Sequence, residues 1–511
     1  MLATNYTNYH EKKFVVIRVI RGHFFLTSNH PLNWTISTST HYLCAVKKNI
    51  VLQKVLIEDY AAEGKSLARV DGKVIFVEDA VPGDVVDIRL RKNKKDWAEG
   101  SAFNFHEYSQ HRVVPFCEHF GICGGCQWQM LPYEKQLQYK QKQVQDNLKR
   151  IGKIDLPEML PIIGAENTRY YRNKVEYTFG NKRFLLQNEL NDPLISPRQD
   201  VAGFHAQGLF DKVVDIRKCH LQPEPTNQLR LVVKQFAINH GLSFYDIRNH
   251  QGFLRTMQVR ICRTGEIMVN IVFGHEDAHN ITRLLDHVLS SVPSLTTLLY
   301  TINPKMNDSL YDLVPRVYHG KGYVTEKLED FHFKIGPKSF FQTNTEQAEK
   351  LYQVTRQLAE LTGEENVYDL YCGAGSIGIF VSKHAKKIVG IETVKEAITD
   401  ADENALLNNI RHAHFVQGDV IEVCNDAFVA QHGRPDVVIT DPPRAGMHEQ
   451  LVQKIVDIRS PVVVYVSCNP ATQARDLNLL STAYEVTAIQ PVDMFPHTHH
   501  IENVVQLKLK K

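Results

Sequence analysis

The sequence has 511 residues, 59 Lys and Arg against 57 Asp and Glu, and nine cysteines. A hydrophobic share of 43% with 23% charged residues is the balance of a chain that buries a core, which excludes a disordered tail, a collagen-like repeat and a disulfide mini-scaffold. No apolar run approaches the roughly 20 residues that span a bilayer, and the opening MLATNYTNYHEKKF carries no secretory pattern. The expectation is a cytoplasmic protein with reduced cysteines, built from about three domains. A net charge of +2 does not by itself read as nucleic-acid binding.

Residues 1–48 hold Lys12, Lys13, Arg18, Arg21, Lys47 and Lys48 against Glu11 alone. They show no period or cap and read as a poorly ordered extension, with an RNA-binding arm as the alternative. From residue 50 to 108, Val- and Ile-rich runs are broken by turn signals such as Asp71-Gly72 and Pro82-Gly83, a spacing that predicts a small antiparallel barrel. Arg89, Arg91, Lys92, Lys94 and Lys95 precede Trp97, which suits backbone tracking with base stacking; a solvated hairpin fits the composition equally well.

Cys117, Cys123 and Cys126 form C-x5-C-x2-C in PFCEHFGICGGCQWQ. Short separations let thiolates converge on one centre, and Cys219 in IRKCHLQP is the best distant fourth ligand. Spacing alone leaves an iron–sulfur cluster and zinc, with His119 or His220, both open. Residues 133–151 predict a helix with a basic polar face, stopped at Gly152. RYYRNKVEYTF at 169–179 predicts a strand exposing Arg172 and Lys174. The rest of 161–316 mixes strands and helices in no evident order.

Beyond residue 335 strands alternate with helices, the pattern of a parallel, doubly wound sheet. DLYCGAGSIG begins at Asp369 as a strand end and Gly-rich turn. Glu392, Asp419 and Asp441 close the next three strands, and acids at successive carboxyl ends line the ligand crevice of such a sheet. Without a Walker lysine, this order fits S-adenosylmethionine better than NAD. A lone acid would read as a helix cap, but four at strand ends do not. Cys468 follows the apolar strand VVVYV in a Ser-Cys-Asn-Pro turn, placed as a nucleophile. Cys44, Cys262, Cys372 and Cys424 read as packing. In HTHHIEN, Glu502 is a candidate general base, against an edge residue as the plain alternative.

A methyl donor, a thiolate and a base together fit methylation of uracil carbon 5, which becomes nucleophilic when a thiolate adds at carbon 6. The DNA amino-methylases carry an aromatic after Asp-Pro-Pro, where this chain has Arg444.

At these residues the chain resembles the RNA uracil-C5 methyltransferase family, from about residue 50 to the C-terminus. GKSLARVDGKVIFVEDAVPGDVV resembles a TRAM domain, an OB-like RNA-binding barrel. The resemblance implies that Cys117, Cys123, Cys126 and Cys219 ligate a [4Fe–4S] cluster rather than zinc. It implies that Gln342 of FFQTN, Asp369, Tyr371, Gly373, Gly375, Ser376, Glu392, Asp419 and Asp441 bind S-adenosyl-L-methionine, with Cys468 as nucleophile and Glu502 as base. Ser376 stands where some members have Asn, and Pro442-Pro443 where some have Pro-Ala. The implied fold class is α/β: an OB-like β-barrel at 49–108, a central α+β iron–sulfur and RNA-binding domain at 109–330, and a Rossmann-like class I methyltransferase domain at 331–511. Within the family, TRAM and cluster together resemble the 23S ribosomal RNA enzymes. That implies a flipped-out uridine in a folded RNA read by loop and shape, with the barrel and the 133–151 helix gripping phosphates. A tRNA uridine and a non-catalytic RNA-binding assembly factor are the rivals; no membrane contact or obligate protein partner is expected.

Overall fold

The computed structural model describes residues 50–511; the readings of residues 1–48 and of Cys44 lie outside them. The protein is of the α/β class with mixed sheets. Six strands, Val51–Leu56, Asp59–Tyr60, Ser66–Val70, Lys73–Glu78, Val85–Asn93 and Trp97–Glu107, make the first sheet in the order first, fifth, sixth, fourth, third, second. Asp71 and Gly72, both at positive φ (50° and 76°), form the tight turn between the third and fourth strands. The expected barrel is not wholly antiparallel. Trp97–Glu107 returns from its long hairpin to run parallel to Lys73–Glu78, pairing Val74 with Trp97 and Glu78 with Ser101.

The helix expected at 133–151 runs over Tyr133–Asn147, then relaxes into a wider π-helical turn, Leu148–Gly152, ended by Lys153 in the left-handed region. Its buried side chains are Gln136, Lys140 and Val144, one above the other at four-residue spacing. The expected basic polar face keeps exposed Lys142, Lys149 and Arg150. Lys140 is buried against Asp493, and Lys142 is paired with Asp59 and Asp146.

A second sheet holds seven strands in the spatial order Arg316–His319, Thr297–Ile302, Ile267–Phe273, Leu254–Ile261, Lys174–Gly180, Val201–His205 and Val213–Asp215. Only the Ile267–Phe273 and Thr297–Ile302 pair is parallel. Val175, Tyr177, Val259, Val269 and Ile271 alternate onto the face that packs against helices Thr226–Asn239 and Ala278–Ser291. The strand expected from residue 169 starts only at Lys174. Before it, the Tyr170 and Arg172 amides donate to the His220 and Leu221 carbonyls, tying this stretch to the Cys219 loop.

The third large sheet comprises β1 (Asn366–Leu370), β2 (Lys387–Glu392), β3 (Ala413–Gln417), β4 (Val437–Thr440), β5 (Val462–Ser467), β6 (Tyr484–Val492) and β7 (Glu502–Leu509), in the order β3-β2-β1-β4-β5-β7-β6. Strands β1 to β5 are parallel, and β7 inserts antiparallel between β5 and β6. An all-parallel sheet is thus corrected at its last strand. The strand order reverses between β1 and β4, which opens a crevice at their carboxyl ends. Apolar side chains fill both faces, as buried β-strands between helices require. No helix among the described residues is long and apolar enough to cross a membrane.

Candidate active site

The crevice is built by a turn with unusual backbone. Tyr371, Gly373 and Gly375 all have positive φ, at 64°, 54° and 74°. Gly373 faces open space, whereas a Cβ on Gly375 would lie 2.9 Å from the Phe415 ring. Gly373 is thus open to a ligand, and Gly375 is required by packing. A non-glycine residue held at positive φ beside such a turn stores strain of the kind found at functional sites. Ser376 opens helix Ser376–Val381, and its hydroxyl lies 3.0 Å from that of Tyr352.

Four acids stand at the carboxyl ends of β1 to β4, Asp369 and Glu392 within the strands and Asp419 and Asp441 just past them. Asp369 is buried, and its Oδ2 accepts the Gly378 N–H at 2.8 Å while Oδ1 has no partner. Burial raises its pKa to about 7, with Asp441 and Glu392 adding to the rise. Glu392 accepts from the Gly373 N–H at 3.2 Å and the Val394 N–H at 2.9 Å. Asp419 is exposed and caps a short helix by accepting the Ile421 N–H at 2.8 Å, so its cap reading is realised through Oδ1. Burial raises Tyr371 to about 12, with Asp419 and Glu392 among the neighbours that raise it further. Asp441 is raised to about 7 by burial. Gln342 is half-buried; its carbonyl accepts from Asn173 Nδ2 at 2.9 Å.

The expected nucleophile and base sit at the ends of β5 and β7. Ser467 pairs with Asn503 as the last rung of the antiparallel ladder, so Cys468 and Glu502 lie just past it, close enough for the Glu502 charge to act on the thiol. Glu502 is buried, and burial, then Asp441, pushes its carboxyl well above the usual range while Arg444 pulls it down. Burial raises the Cys468 thiol to about 11, Glu502 and Asp441 add to the rise, and Arg444 opposes it. Arg444 Nη2 lies 2.9 Å from His500 Nδ1. Sequence reasoning used Arg444 only to exclude an aromatic. Its charge acting on both thiol and carboxyl, and the Tyr352 hydroxyl at Ser376, carried no motif of their own.

Separately, Cys117, Cys123, Cys126 and Cys219 line one cavity of about 280 Å³. All four are free thiols. Burial pushes Cys123 up to about 11 and Cys126 up to about 12. The zinc alternative loses an imidazole, because His119 Nε2 accepts the Arg217 N–H at 2.9 Å. Among the described residues no three His, Cys, Asp or Glu side chains converge tightly enough to hold a single ion. Four thiols around a cavity of this size suit a larger, all-thiolate group, so the donor set fits a cluster better than a lone metal. Cys262, Cys372 and Cys424 are buried in the apolar cores, as expected of packing residues.

Residues 314–510 match the family model described as tRNA (Uracil-5-)-methyltransferase, and residues 52–103 match the TRAM domain. The chain is 51% identical to an "Uncharacterized RNA methyltransferase" of Bacteroides thetaiotaomicron, over 88% of this chain and 100% of that protein. A relative of the same description from Porphyromonas gingivalis is 48% identical, over 88% of this chain and 98% of its own length. Among solved structures it is similar to Pyrococcus abyssi tRNA (uracil-54, C5)-methyltransferase in complex with S-adenosyl-L-homocysteine. That match has a TM-score of 0.69 and 29% identity, covering 89% of this chain and all of the other. The chain belongs to the RNA uracil-5 methyltransferase family.

Proposed function

We propose that the protein transfers a methyl group from S-adenosyl-L-methionine to carbon 5 of a uridine in 23S ribosomal RNA, through a covalent Cys468 adduct. The observation that carries this reading is the approach of Cys468 and Glu502 just past the Ser467–Asn503 pair, with Asp441 and Arg444 acting on both. The Cys468 thiol gives its proton to solvent, Arg444 partly offsetting the burial and carboxylate charges that oppose ionisation; the thiolate bonds to carbon 6, and the carbon 5–carbon 6 π electrons shift to make an enolate. Carbon 5 takes the methyl group, whose former bonding pair stays on the donor sulfur. Glu502 removes the carbon 5 proton, and the released pair re-forms the double bond and expels the Cys468 thiolate. A carboxyl whose pKa burial raises is a stronger base once ionised, as this step needs.

The donor fits the crevice. Open space at Gly373 supports this, Glu392 and Asp419 suit ribose and adenine contacts, and Gln342, Asp369, Tyr371, Ser376 and Asp441 are assigned to the rest of the donor. Bound there, it supplies an electrophilic methyl group. Gly375 supports the turn. The four cysteines would hold a [4Fe–4S] cluster, whose contribution is to fix the loop that carries them, since the reaction needs no electron transfer. In the TRAM sheet Arg89 stacks over exposed Phe103, its guanidinium carbon 4.8 Å from the ring centroid, and Lys94 and Lys95 are exposed. Such a surface suits single-stranded RNA. Arg91 and Lys92 are paired with Glu78 and Glu99.

A tRNA uridine is the second reading, favoured by the likeness to the Pyrococcus tRNA enzyme. A non-catalytic assembly factor would have no use for the Cys468–Glu502 pair. Either RNA substrate fits action in the cytoplasm. Mapping 5-methyluridine in ribosomal and transfer RNA, with and without the gene, tests the reading. Loss of one 23S position is expected; loss confined to tRNA would replace it.

A further inference from the structure

The loop after β4 that carries Arg444 is bound to the helix Pro470–Leu480, which starts just past Cys468. Asn469 Nδ2 donates to the Arg444 carbonyl at 3.0 Å, and Thr472 Oγ1 donates to the same oxygen at 3.2 Å. Arg475 Nη2 donates to the Ala445 and Met447 carbonyls at 3.0 and 3.1 Å. Asp476 Oδ2 accepts the Met447 N–H at 2.8 Å. Gly446, at φ 77°, passes so close that a Cβ there would lie 2.7 Å from Arg475 Nη2 and Asp476 Oδ2. The Arg444 backbone is therefore fixed to the turn that presents Cys468.

Its guanidinium is fixed by another segment. Arg444 is exposed, and among the described residues it forms no ion pair. Its Nη2 lies 2.9 Å from Nδ1 of His500, just before Glu502. A guanidinium offers only N–H donors, so Nδ1 must accept and the imidazole proton sits on Nε2. Burial, then His499, Arg444, Lys140 and Arg172, brings His500 down to about 3, which keeps the ring neutral. The ring is itself held. Its own amide donates to Thr498 Oγ1 at 3.2 Å, Phe495 meets it edge-on, and the His499 ring lies 4.2 Å away.

We propose that His500 is a positioning residue, its neutral Nδ1 holding the Arg444 guanidinium at the Cys468 and Glu502 ends of β5 and β7. A long exposed side chain samples many rotamers, and an acceptor at hydrogen-bond distance selects one. A carboxylate in the place of His500 would hold Arg444 as well but would cancel its charge. A neutral acceptor leaves the whole charge to act on the two reacting groups. The thiol is raised by burial, Glu502 and Asp441, and Arg444 is the cation that opposes them. The same charge pulls the Glu502 carboxyl down. Fixing it favours the thiolate before attack and the ionised base afterwards.

The inference rests on Cys468 and Glu502 being nucleophile and base, and its test separates the two readings. Methyl transfer persisting in Cys468→Ala withdraws the roles, whereas thiol labelling reads the His500 contact whichever residue attacks. Iodoacetamide labelling of Cys468 at about pH 8, without RNA, is followed by mass spectrometry of the Cys468 peptide. It is compared in the wild-type holoprotein, His500→Leu, His500→Asn and Arg444→Gln, alongside kcat and KM for methyl transfer. A loss of about tenfold in thiolate, offset by about threefold greater nucleophilicity, should slow labelling in His500→Leu about threefold. The kcat should fall while KM for RNA and donor holds. Asn opens similar space to Leu but keeps an acceptor oxygen, so His500→Asn should restore both readouts. Adding His500→Leu to Arg444→Gln should cause no further loss.

Wild-type labelling and kcat in His500→Leu overturn the proposal. Equal loss in the Leu and Asn variants overturns it too, by making the bulk of the ring the cause. Further loss on top of Arg444→Gln shows that His500 acts on its own, and a raised KM for RNA with labelling unchanged makes it a substrate contact. If His500→Leu does not fold, Arg444→Gln carries the test, and labelling there at the wild-type rate overturns the proposal.

Discussion

Lys140 Nζ donates to Asp493 Oδ1 across 2.6 Å, with both side chains wholly buried. Tyr133 donates to the other Asp493 oxygen at 2.8 Å. Lys140 also donates to the Phe495 carbonyl at 3.1 Å. The pair ties helix Tyr133–Asn147 to the segment that leads into Glu502. Within that segment His497 is held at φ 66°. The Gln136 carbonyl oxygen accepts its N–H, and the Gln127 and Trp128 amides, just past Cys126, donate to its carbonyl. The cysteine loop and the base-bearing strand therefore share one clamp.

Breaking a buried pair leaves an uncompensated charge, so Lys140→Met should cost roughly 3–5 kcal/mol of stability, measured by urea unfolding. Lys140→Met with Asp493→Leu should cost less than the sum of the single changes. A loss under about 1 kcal/mol in Lys140→Met would show that Asp493 accepts a proton instead of keeping its charge.

Cys468→Ala should reduce methyl transfer to background while calorimetry finds donor affinity largely unchanged, because the thiol is assigned to the uracil ring and not to a donor contact. Persisting activity would sink the covalent route.

In Glu502→Gln the carbon 5 proton stays on, so an RNA–protein adduct should accumulate on a denaturing gel. No band above the free protein, with methyl transfer intact, would reassign the base.

Stability should fall with pH through Asp369. Burial, with Asp441 and Glu392, raises its carboxyl to about 7 in the folded chain, against about 4 unfolded. The folded state then binds more protons between those values. The contribution is complete below pH about 4 and is lost as pH rises through about 7. Asp369→Asn keeps an oxygen for the Gly378 N–H. It should match the wild type near pH 4 and exceed it near pH 8 by on the order of 4 kcal/mol. Superimposable stability curves from urea unfolding would reject this.

Purified protein should carry a broad visible absorbance that Cys123→Ser abolishes, with iron found by metal analysis. Stoichiometric zinc in its place would refute the cluster.

Much of the site was legible because its signals are local. A Gly turn needs glycine where φ is positive, an acid at a strand end needs only the strand, and three cysteines within ten residues announce themselves in CEHFGICGGC. Val- and Ile-rich runs likewise marked most strands of the first sheet and those of the third except Tyr484–Val492. What a linear pattern cannot carry is the direction in which a distant strand enters a sheet. HHIENVV reads alike as a parallel or an antiparallel strand, yet only antiparallel insertion of β7 beside β5 brings the start of one to the end of the other, and so Glu502 to Cys468. Lys140 shows the same limit. Helical spacing puts it in line with Val144, but the partner that lets a charge be buried there is Asp493, 353 residues away. The sequence by itself determined which chemical groups the protein owns and the local backbone that presents them. Tertiary structure decided which of those groups lose water and face one another, because burial and charge pairing depend on contacts between segments far apart in the chain.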